Sequence, residues 1–360
     1  MFIIINNNAT DILLVGTMYP EEIRYKKMPD TLVASKRVVL ERREDIVGIF
    51  ESMRNELGKA ASGPPMALLH IDSGMENDVD ACYPVEKDVF CPYKLHTVEG
   101  SECYSIMHRG GLGALDGKYG FLARHIYSRG LQIQPTALEI YHKIDIKDES
   151  QDIVEACLLI HPWKELLLKS IEKVLGKELA SKASEMGKNL NAESSVLDRQ
   201  EWVKRVVGLI ASRTDENEKY LVMSPCADKF SSDRIHSLRK VYLQNKSIDD
   251  VLDAMKTDQN WYSEPYRDGE KIYVTKNPYR KKQYEKSKDD SDRRKYYCHC
   301  PLIRDSPDIG IHHTFCYCGS GWFRQLWEGI LGRSVSITLE KSLLKGDTTC
   351  QFCIDVGIPG

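Results

Sequence analysis

Two stretches of this sequence hold residues that could do chemistry. "YYCHCPLIRDSPDIGIHHTFCYCG", residues 296–319, carries two Cys-x-Cys pairs with the adjacent His312 and His313 between them. "PTALEIYHKI", residues 135–144, carries an acid and a phenol two residues apart, Glu139 and Tyr141. Side chains two apart on a strand share a face. If the cysteine pairs lie on neighbouring strands, Cys298, Cys300, Cys316 and Cys318 turn four sulfurs toward one tetrahedral ion, of which zinc is the usual case. Cys226, Cys353, His312 and His313 are further candidate ligands. The usual zinc spacing is Cys-x-x-Cys, so the tighter pairs weaken the metal reading. Two other readings stay open: small apolar side chains filling a strand interface, and a dithiol redox or sensing centre.

The period of two divides the second stretch just as plainly. Leu138, Ile140, His142 and Ile144 fall on one face; Ala137, Glu139, Tyr141 and Lys143 fall on the other. The first is the expected core face. If helices cover it, Glu139 and Tyr141 look out from the opposite side and floor a ligand cleft. A carboxylate partly removed from water can take up a proton or pair with a cationic ligand. A solvated strand acid is the alternative.

The elements that must position these residues follow from patterning. Residues 31–40 predict a strand and 45–57 a helix; "ASGPP" is a turn, and "ALLHID" and "DVDACYPV" are strands flanking the "SGMEN" turn. "ECYSIMHRG" is another strand. Leu115, Tyr119, Leu122 and Ile126 share one stripe of a helix over 113–128, and two strands follow. From 164 to 255 the spacing becomes helical. Residues 276–295, with nine basic and four acidic side chains, predict a solvated, mobile loop. "GSGWFRQLWEGILG" predicts a helix capped by Ser320 and closed by Gly332. The strand "SVSITLE" and a second strand in "TTCQFCIDV" complete the chain; Cys350 alternates there with Phe352 and Ile354, leaving Cys353 on the freer face.

The chain has 360 residues, a net charge of −3, 42% hydrophobic and 29% charged residues. That is enough for two cores, and the charge gives no reason to expect nucleic acid or an anionic membrane as partner. No apolar run is long enough to span a bilayer. "MFIIINNNATDILLVG" lacks the basic start of a signal peptide. With 11 cysteines and no such signal, free thiols or metal ligands are expected in a cytoplasmic protein.

Five segments occur in the order found in gyrase-inhibitor-like (GyrI-like) effector-binding domains: "YKKMPDTLVASKRVVLERREDIVGIFESMRNEL", "GPPMALLHID", "DVDACYPV", "HRGGLGALDGKYGFLARHIYSRGL" and "PTALEIY". The resemblance covers about 25–163. It implies a pseudo-symmetric pair of β-α-β-β units with a cleft for hydrophobic, often cationic, small molecules, Glu139 at its floor and Tyr141 beside it. His108 matches the family's motif histidine, with a strand-end role as its alternative. Tyr119 faces either ligand or core. Leu69 and His70 stand where the family has a tyrosine pair, and Leu112 where it usually has an aromatic, so the implied pocket is less aromatic, with His70 in its lining. Some stand-alone members hydrolyse cyclopropane-bearing toxins, a role in which Glu139 would serve as general base.

The second half, "FCYCGSGWFRQLWEGILGRSVSITLEKSLLKGDTTCQFCI" with "MSPCADKF" upstream, resembles the end of vinyl-reductase-type ligand-sensing domains and an uncharacterised bacterial cysteine-rich family. That resemblance implies an α/β domain for a small hydrophobic molecule or a metal, although Ser342 stands where the first group has a cysteine.

The expectation is therefore an α+β protein: a GyrI-like duplicated β-α-β-β domain over 1–163, a helical segment over 164–270 and a cysteine-rich α/β part over 271–360. Its expected function is binding of a hydrophobic or cationic small molecule, as a sensor or sequestering protein. Fewer than thirty residues precede the stretch that carries the resemblance, too few for a helix-turn-helix, and no basic recognition-helix pattern is found, so a DNA-binding module is not expected. Hydrolysis through Glu139 and a metal- or thiol-based redox or interaction module are the alternatives. No cofactor is certain, zinc being the one candidate. A protein partner or a second copy is compatible with the sequence.

Overall fold

The computed structural model describes residues 22–71, 77–86, 89–145, 148–257 and 263–357. The stretch "MFIIINNNATDILLVG" and most of the "SGMEN" turn lie outside the described residues. The chain divides into two units, 1–127 with 132–161, and 128–131 with 162–360.

The first unit runs β1 (Arg24–Lys27), β2 (Thr31–Val39), α1 (Ile46–Leu57), β3 (Met66–His70), β4 (Asp78–Pro84), β5 (Lys94–Val98), β6 (Glu102–Arg109), α2 (Leu115–Ser128), β7 (Ile133–Lys143) and β8 (Ile153–Ile160). The eight strands form one antiparallel sheet in the order β1-β6-β8-β7-β3-β4-β2-β5. The order contains a duplication, β2-α1-β3-β4 and β6-α2-β7-β8, joined where β3 meets β7. The register repeats residue for residue. Ser35 and Met66 both pair Cys82, as Ser105 and Leu138 both pair Cys157. The edge strands are exchanged: β1 pairs the second repeat's β6, and β5 pairs the first repeat's β2. The duplicated architecture implied by the resemblance is thus present, in sequences too diverged to read as a repeat.

Both helices bury one stripe. In α1 it is Ile46, Phe50, Met53 and Leu57; in α2 it is Leu115, Tyr119, Leu122 and Ile126. Each such side chain contributes about 1.5–3 kcal/mol on burial. The stripes pack on the Glu139 face of the sheet, where the Phe50 and Tyr141 rings lie 5.0 Å apart. This reverses the expected sidedness. The other face carries its own apolar cluster of Val33, Met66, Leu68, Cys82, Cys103, Leu138, Ile140, Cys157 and Leu159, with Met28 and Val98 packed against it. With both faces apolar, alternation separates the two sets but does not say which one the helices take.

The second unit opens with six helices, α3 (Trp163–Leu175), α4 (Lys177–Met186), α5 (Val196–Ala211), α6 (Glu216–Met223), α7 (Ser232–Asn245) and α8 (Ile248–Lys256). The strands β9 (Ser263–Asp268) and β10 (Lys271–Thr275), helices α9 (Lys281–Lys286), α10 (Asp290–Tyr297) and α11 (Tyr317–Leu331), and strands β11 (Ser336–Lys341) and β12 (Gln351–Asp355) follow. Its antiparallel sheet has the order β11-β12-β10-β9. Trp202, Val206, Ile210, Trp327, Phe323 and Phe352 belong to one continuous core. The basic stretch 276–295 is not a loop throughout. Two short helices occupy most of it, α10 being capped by the Asp289 carboxylate, which accepts from Asp292 N at 2.9 Å. Ser320 is not a cap either: α11 begins at Tyr317 and Ser320 is fully buried within it. Gly332 closes that helix at φ 70°, as expected. Gly321 has a packing reason, since a Cβ there would stand 1.8 Å from the Ser224 carbonyl oxygen.

Candidate functional site

Glu139 is 1% exposed, in mid-strand on β7. Directly across the ladder stands the small side chain of Ala67 on β3. Three side chains converge on the Glu139 carboxylate. Tyr119 of α2 donates to Glu139 Oε1 at 2.9 Å, and Tyr141, two residues along the strand, donates to Oε2 at 2.5 Å. Arg43, from the 3-10 turn that leads into α1, pairs its Nη2 with Oε1, and its Nη1 donates to Asp116 at 3.0 Å. The Arg43 guanidinium also lies over the Tyr119 ring, 5.6 Å from its centroid.

The duplication explains the arrangement. Arg43 and Leu112 open equivalent turns; Phe50 and Tyr119 are each the fifth residue of their helix; Ala67 and Leu69 are the register equivalents of Glu139 and Tyr141. The second repeat supplies the carboxylate and both phenols; the first supplies the guanidinium and apolar surroundings. The polar centre therefore exists only where the repeats meet.

Burial opposes the Arg43 charge, but Glu139, the two phenols and Asp116 outweigh it and hold the guanidinium above its ordinary value. Burial and the Glu139 charge both push the Tyr119 and Tyr141 phenols well up. Both tyrosines are hydrogen-bond donors at any ordinary pH, and Glu139 accepts. Three of its roughly four acceptor positions are taken. With three positions engaged, the carboxylate has little acceptor capacity left for a further partner. Arg43 has 15% of its side chain exposed and is the outermost member of the buried ion pair.

The structure brings Tyr119, Glu139 and Tyr141 together and leaves two other expected lining residues elsewhere. His108 is buried and donates from Nε2 to the Gly111 carbonyl at 2.9 Å, fixing the turn after β6. His70 lies on the opposite face of the sheet, in the register position of His142. It pairs with Asp80 at 3.1 Å, as His142 pairs with Glu155 at 3.2 Å. Arg43 was not expected. Its signal was "ERRED", a basic pair at the start of a helix, which reads as surface until the sheet behind it is known.

The cysteines do not form the expected four-sulfur face. Cys298 and Cys300 follow α10 in irregular backbone, Cys316 ends a 3-10 turn and Cys318 lies in the first turn of α11. Without two strands the period-two argument lapses, and among the described residues no group of three or more His, Cys, Asp or Glu side chains could hold a metal ion. Burial pushes the Cys298, Cys300 and Cys350 thiols up to about 12, and Cys316 and Cys318 well above their usual range. These are protonated thiols, not nucleophiles. Cys353 is 5% exposed and Cys350 only partly covered, the reverse of expectation. No helix among the described residues is long and apolar enough to cross a membrane.

No protein-family model and no curated protein matches the chain. Among solved structures, the N-terminal part is similar to effector-binding domains of the GyrI-like type. The EcmrR C-terminal domain is 17% identical over 39% of this chain and 98% of its own, with a TM-score of 0.35. SAV2435 bound to tetraphenylphosphonium is 13% identical over 40% of this chain and 96% of its own, at 0.29. A hydrolase from Listeria innocua is 12% identical over 40% of this chain and 94% of its own, at 0.28.

Proposed function

We propose that the first unit binds small lipophilic cations, with Glu139 as the counterion and Arg43 as the tethered cation that holds the seat when no ligand is present. The observation that carries this reading is a carboxylate 1% exposed, roofed by two helices and bound to two phenols and one guanidinium. A buried carboxylate needs a counter-charge, and one unpaired costs several kcal/mol. A ligand cation can supply that charge in place of Arg43, with the Tyr119 and Phe50 rings offering apolar and π contact. Asp116 already accepts one Arg43 nitrogen and is 31% exposed, so the guanidinium keeps a partner when it leaves Glu139. Hydrolysis through Glu139 is the weaker reading, since both carboxylate oxygens are already engaged by Arg43, Tyr119 and Tyr141.

Titration with tetraphenylphosphonium by calorimetry tests the proposal. Saturable binding is expected, weakened about a hundredfold in Glu139→Gln and strengthened about tenfold in Arg43→Met, where no internal cation competes. Folded Arg43→Met protein that binds neither this cation nor smaller ones such as tetraethylammonium and benzyltrimethylammonium would defeat it. Water-dependent consumption of a cyclopropane-bearing electrophile, lost in Glu139→Gln, would replace it with the hydrolase.

A further inference from the structure

A second charged group, half-buried, has no ion-pair partner among the described residues. Lys276, at the end of β10, is anchored by its backbone: its N–H donates to the Cys350 carbonyl at 3.0 Å and its own carbonyl accepts from the Tyr297 hydroxyl. Its ammonium stands over three aromatic rings, 5.6 Å from the Trp322 centroid, 5.9 Å from Phe352 and 6.0 Å from Phe323. It has no ion pair and no hydrogen bond to another side chain or carbonyl among the described residues. On its far side is the first turn of α11, where a Cβ on Gly319 would stand 3.7 Å from the ammonium and 2.8 Å from Phe352 Cζ. The glycine is what lets ring and ammonium approach the helix.

The surroundings are positive as well. Arg304, 5% exposed, donates to the carbonyls of Cys298 and His299 at 3.3 and 2.6 Å and stacks 3.4 Å over the Tyr279 ring. His299 donates from Nε2 to the Asn277 carbonyl at 2.7 Å, which leaves Nδ1 bare. Burial, with Lys276 and Arg304 adding to it, pulls that imidazole down to about 4, so it is neutral. The His299 ring is exposed, and Cys298, Cys300, Cys316, Cys318 and Cys350 are partly covered. The ammonium is itself only partly covered, so solvent reaches it and the thiols around it.

We propose that the Lys276 ammonium, with the rings and partly covered thiols around it, is a second ligand site, for a small aromatic or unsaturated carboxylate. The carboxylate would seat on the Lys276 ammonium and the flat apolar body would lie against Trp322, Phe352 and the neutral thiols. A charge-assisted contact in such surroundings is worth roughly twice a neutral one, and the polarizable sulfurs suit a π-rich body. The site lies wholly within the second unit and does not depend on Glu139.

Calorimetric titration of the full chain at neutral pH with benzoate and cinnamate, beside their neutral isosteres benzamide and cinnamamide, tests it. At least one acid is expected to saturate the protein, with its amide about tenfold weaker or worse. Lys276→Gln should lose about tenfold in affinity for the acid, and Lys276→Arg should stay within about threefold of the parent. Thermal unfolding of each variant establishes that it is folded. The proposal is overturned if neither acid binds the parent protein, if the amides bind as tightly as the acids, or if folded Lys276→Gln binds the acid like the parent.

Discussion

Glu139 in the first unit and Lys276 in the second are both charged groups set among aromatic rings, and the chain treats them in opposite ways. Glu139 is saturated from within: one guanidinium and two phenols hold it. Lys276 is given ring faces only. A centre satisfied by its own chain is part of the fold, and a ligand enters it by competition. A centre left unsatisfied adds little to the fold and is free for a ligand to complete. The physical difference lies in desolvation. A carboxylate 1% exposed has exchanged its hydration for protein partners, whereas a half-buried ammonium keeps part of its hydration and gains modestly from each ring.

The largest expected effect comes from removing the Glu139 counter-charge. Arg43→Met should destabilise the first unit by about 3–5 kcal/mol at pH 8, because it leaves a buried carboxylate without its cation. Adding Glu139→Gln to that variant should recover most of the loss, since the charge that needed pairing is gone. Urea unfolding of the two single variants and the double variant measures the coupling. Additive losses would mean that Arg43 contributes through packing alone, and the contrast with Lys276 would fall.

The phenols come next. Tyr141→Phe should cost about 1–2 kcal/mol and Tyr119→Phe a similar amount, each removing a donor to a buried charge. The pair should cost more than the sum, because the second loss leaves Glu139 with Arg43 alone. Equal costs in an Arg43→Met background would show that the three donors act independently.

How much of this was legible in sequence differs between the units for a reason of range. In the first, strands, helices and the Tyr119 stripe follow from local periodicity, and Glu139 and Tyr141 were marked by their spacing. The side of the sheet the helices take was not legible, because Leu138, Ile140 and Cys157 bury the other face as thoroughly. Nor was Arg43, which lies 96 residues from Glu139 and meets it only because β3 and β7 are neighbours. In the second unit the cysteines drew attention by composition, but Cys298 and Cys300 belong to no strand and Cys316–Cys318 lie in helical turns. Lys276 was read as one of nine basic residues in a solvated stretch. Nothing local separates it from Lys281 or Lys282; the three rings over which it sits come from α11 and β12.

A smaller effect concerns the repeated ion pairs on the sheet's other face, which test whether partly solvated pairs behave unlike the buried one. The hydrogen bond to Asp80 raises the His70 pKa, against burial and Arg37. Burial opposes Asp80, but His70 wins and holds it below the usual carboxylate range. A raised histidine stabilises fully below its unfolded value, about 6.5, and loses that contribution as pH rises through its folded value. A lowered aspartate stabilises above its unfolded value and loses the contribution as pH falls through its folded one. The pair therefore contributes in mildly acidic solution. Asp80→Asn should cost about 0.5–1 kcal/mol near pH 5.5, and the cost should fade above neutrality. In the second repeat Glu155 has Lys26 at 2.7 Å as well as His142. Lys26 remains charged, so the cost of Glu155→Gln should persist at pH 8. Parallel pH profiles for the two variants would remove the distinction between the repeats.

The smallest expected change is also the most direct test of the opening contrast. Lys276→Met keeps the length of the side chain and its contact with Trp322, Phe323 and Phe352, and removes the charge. The ammonium makes no ion pair that would be lost, and its ring contacts are worth about 0.5–1 kcal/mol at a partly exposed site. Against that stands the cost of holding a charge among apolar rings beside Arg304, which methionine relieves. The two terms nearly cancel, so unfolding free energy should stay within about 0.5 kcal/mol of the parent, or rise. Binding of an aromatic carboxylate should nevertheless fall, which separates ligand loss from fold loss in one variant. A destabilisation of about 2 kcal/mol or more would mean that Lys276 has a structural partner after all, and that both units bury their charges in the same way.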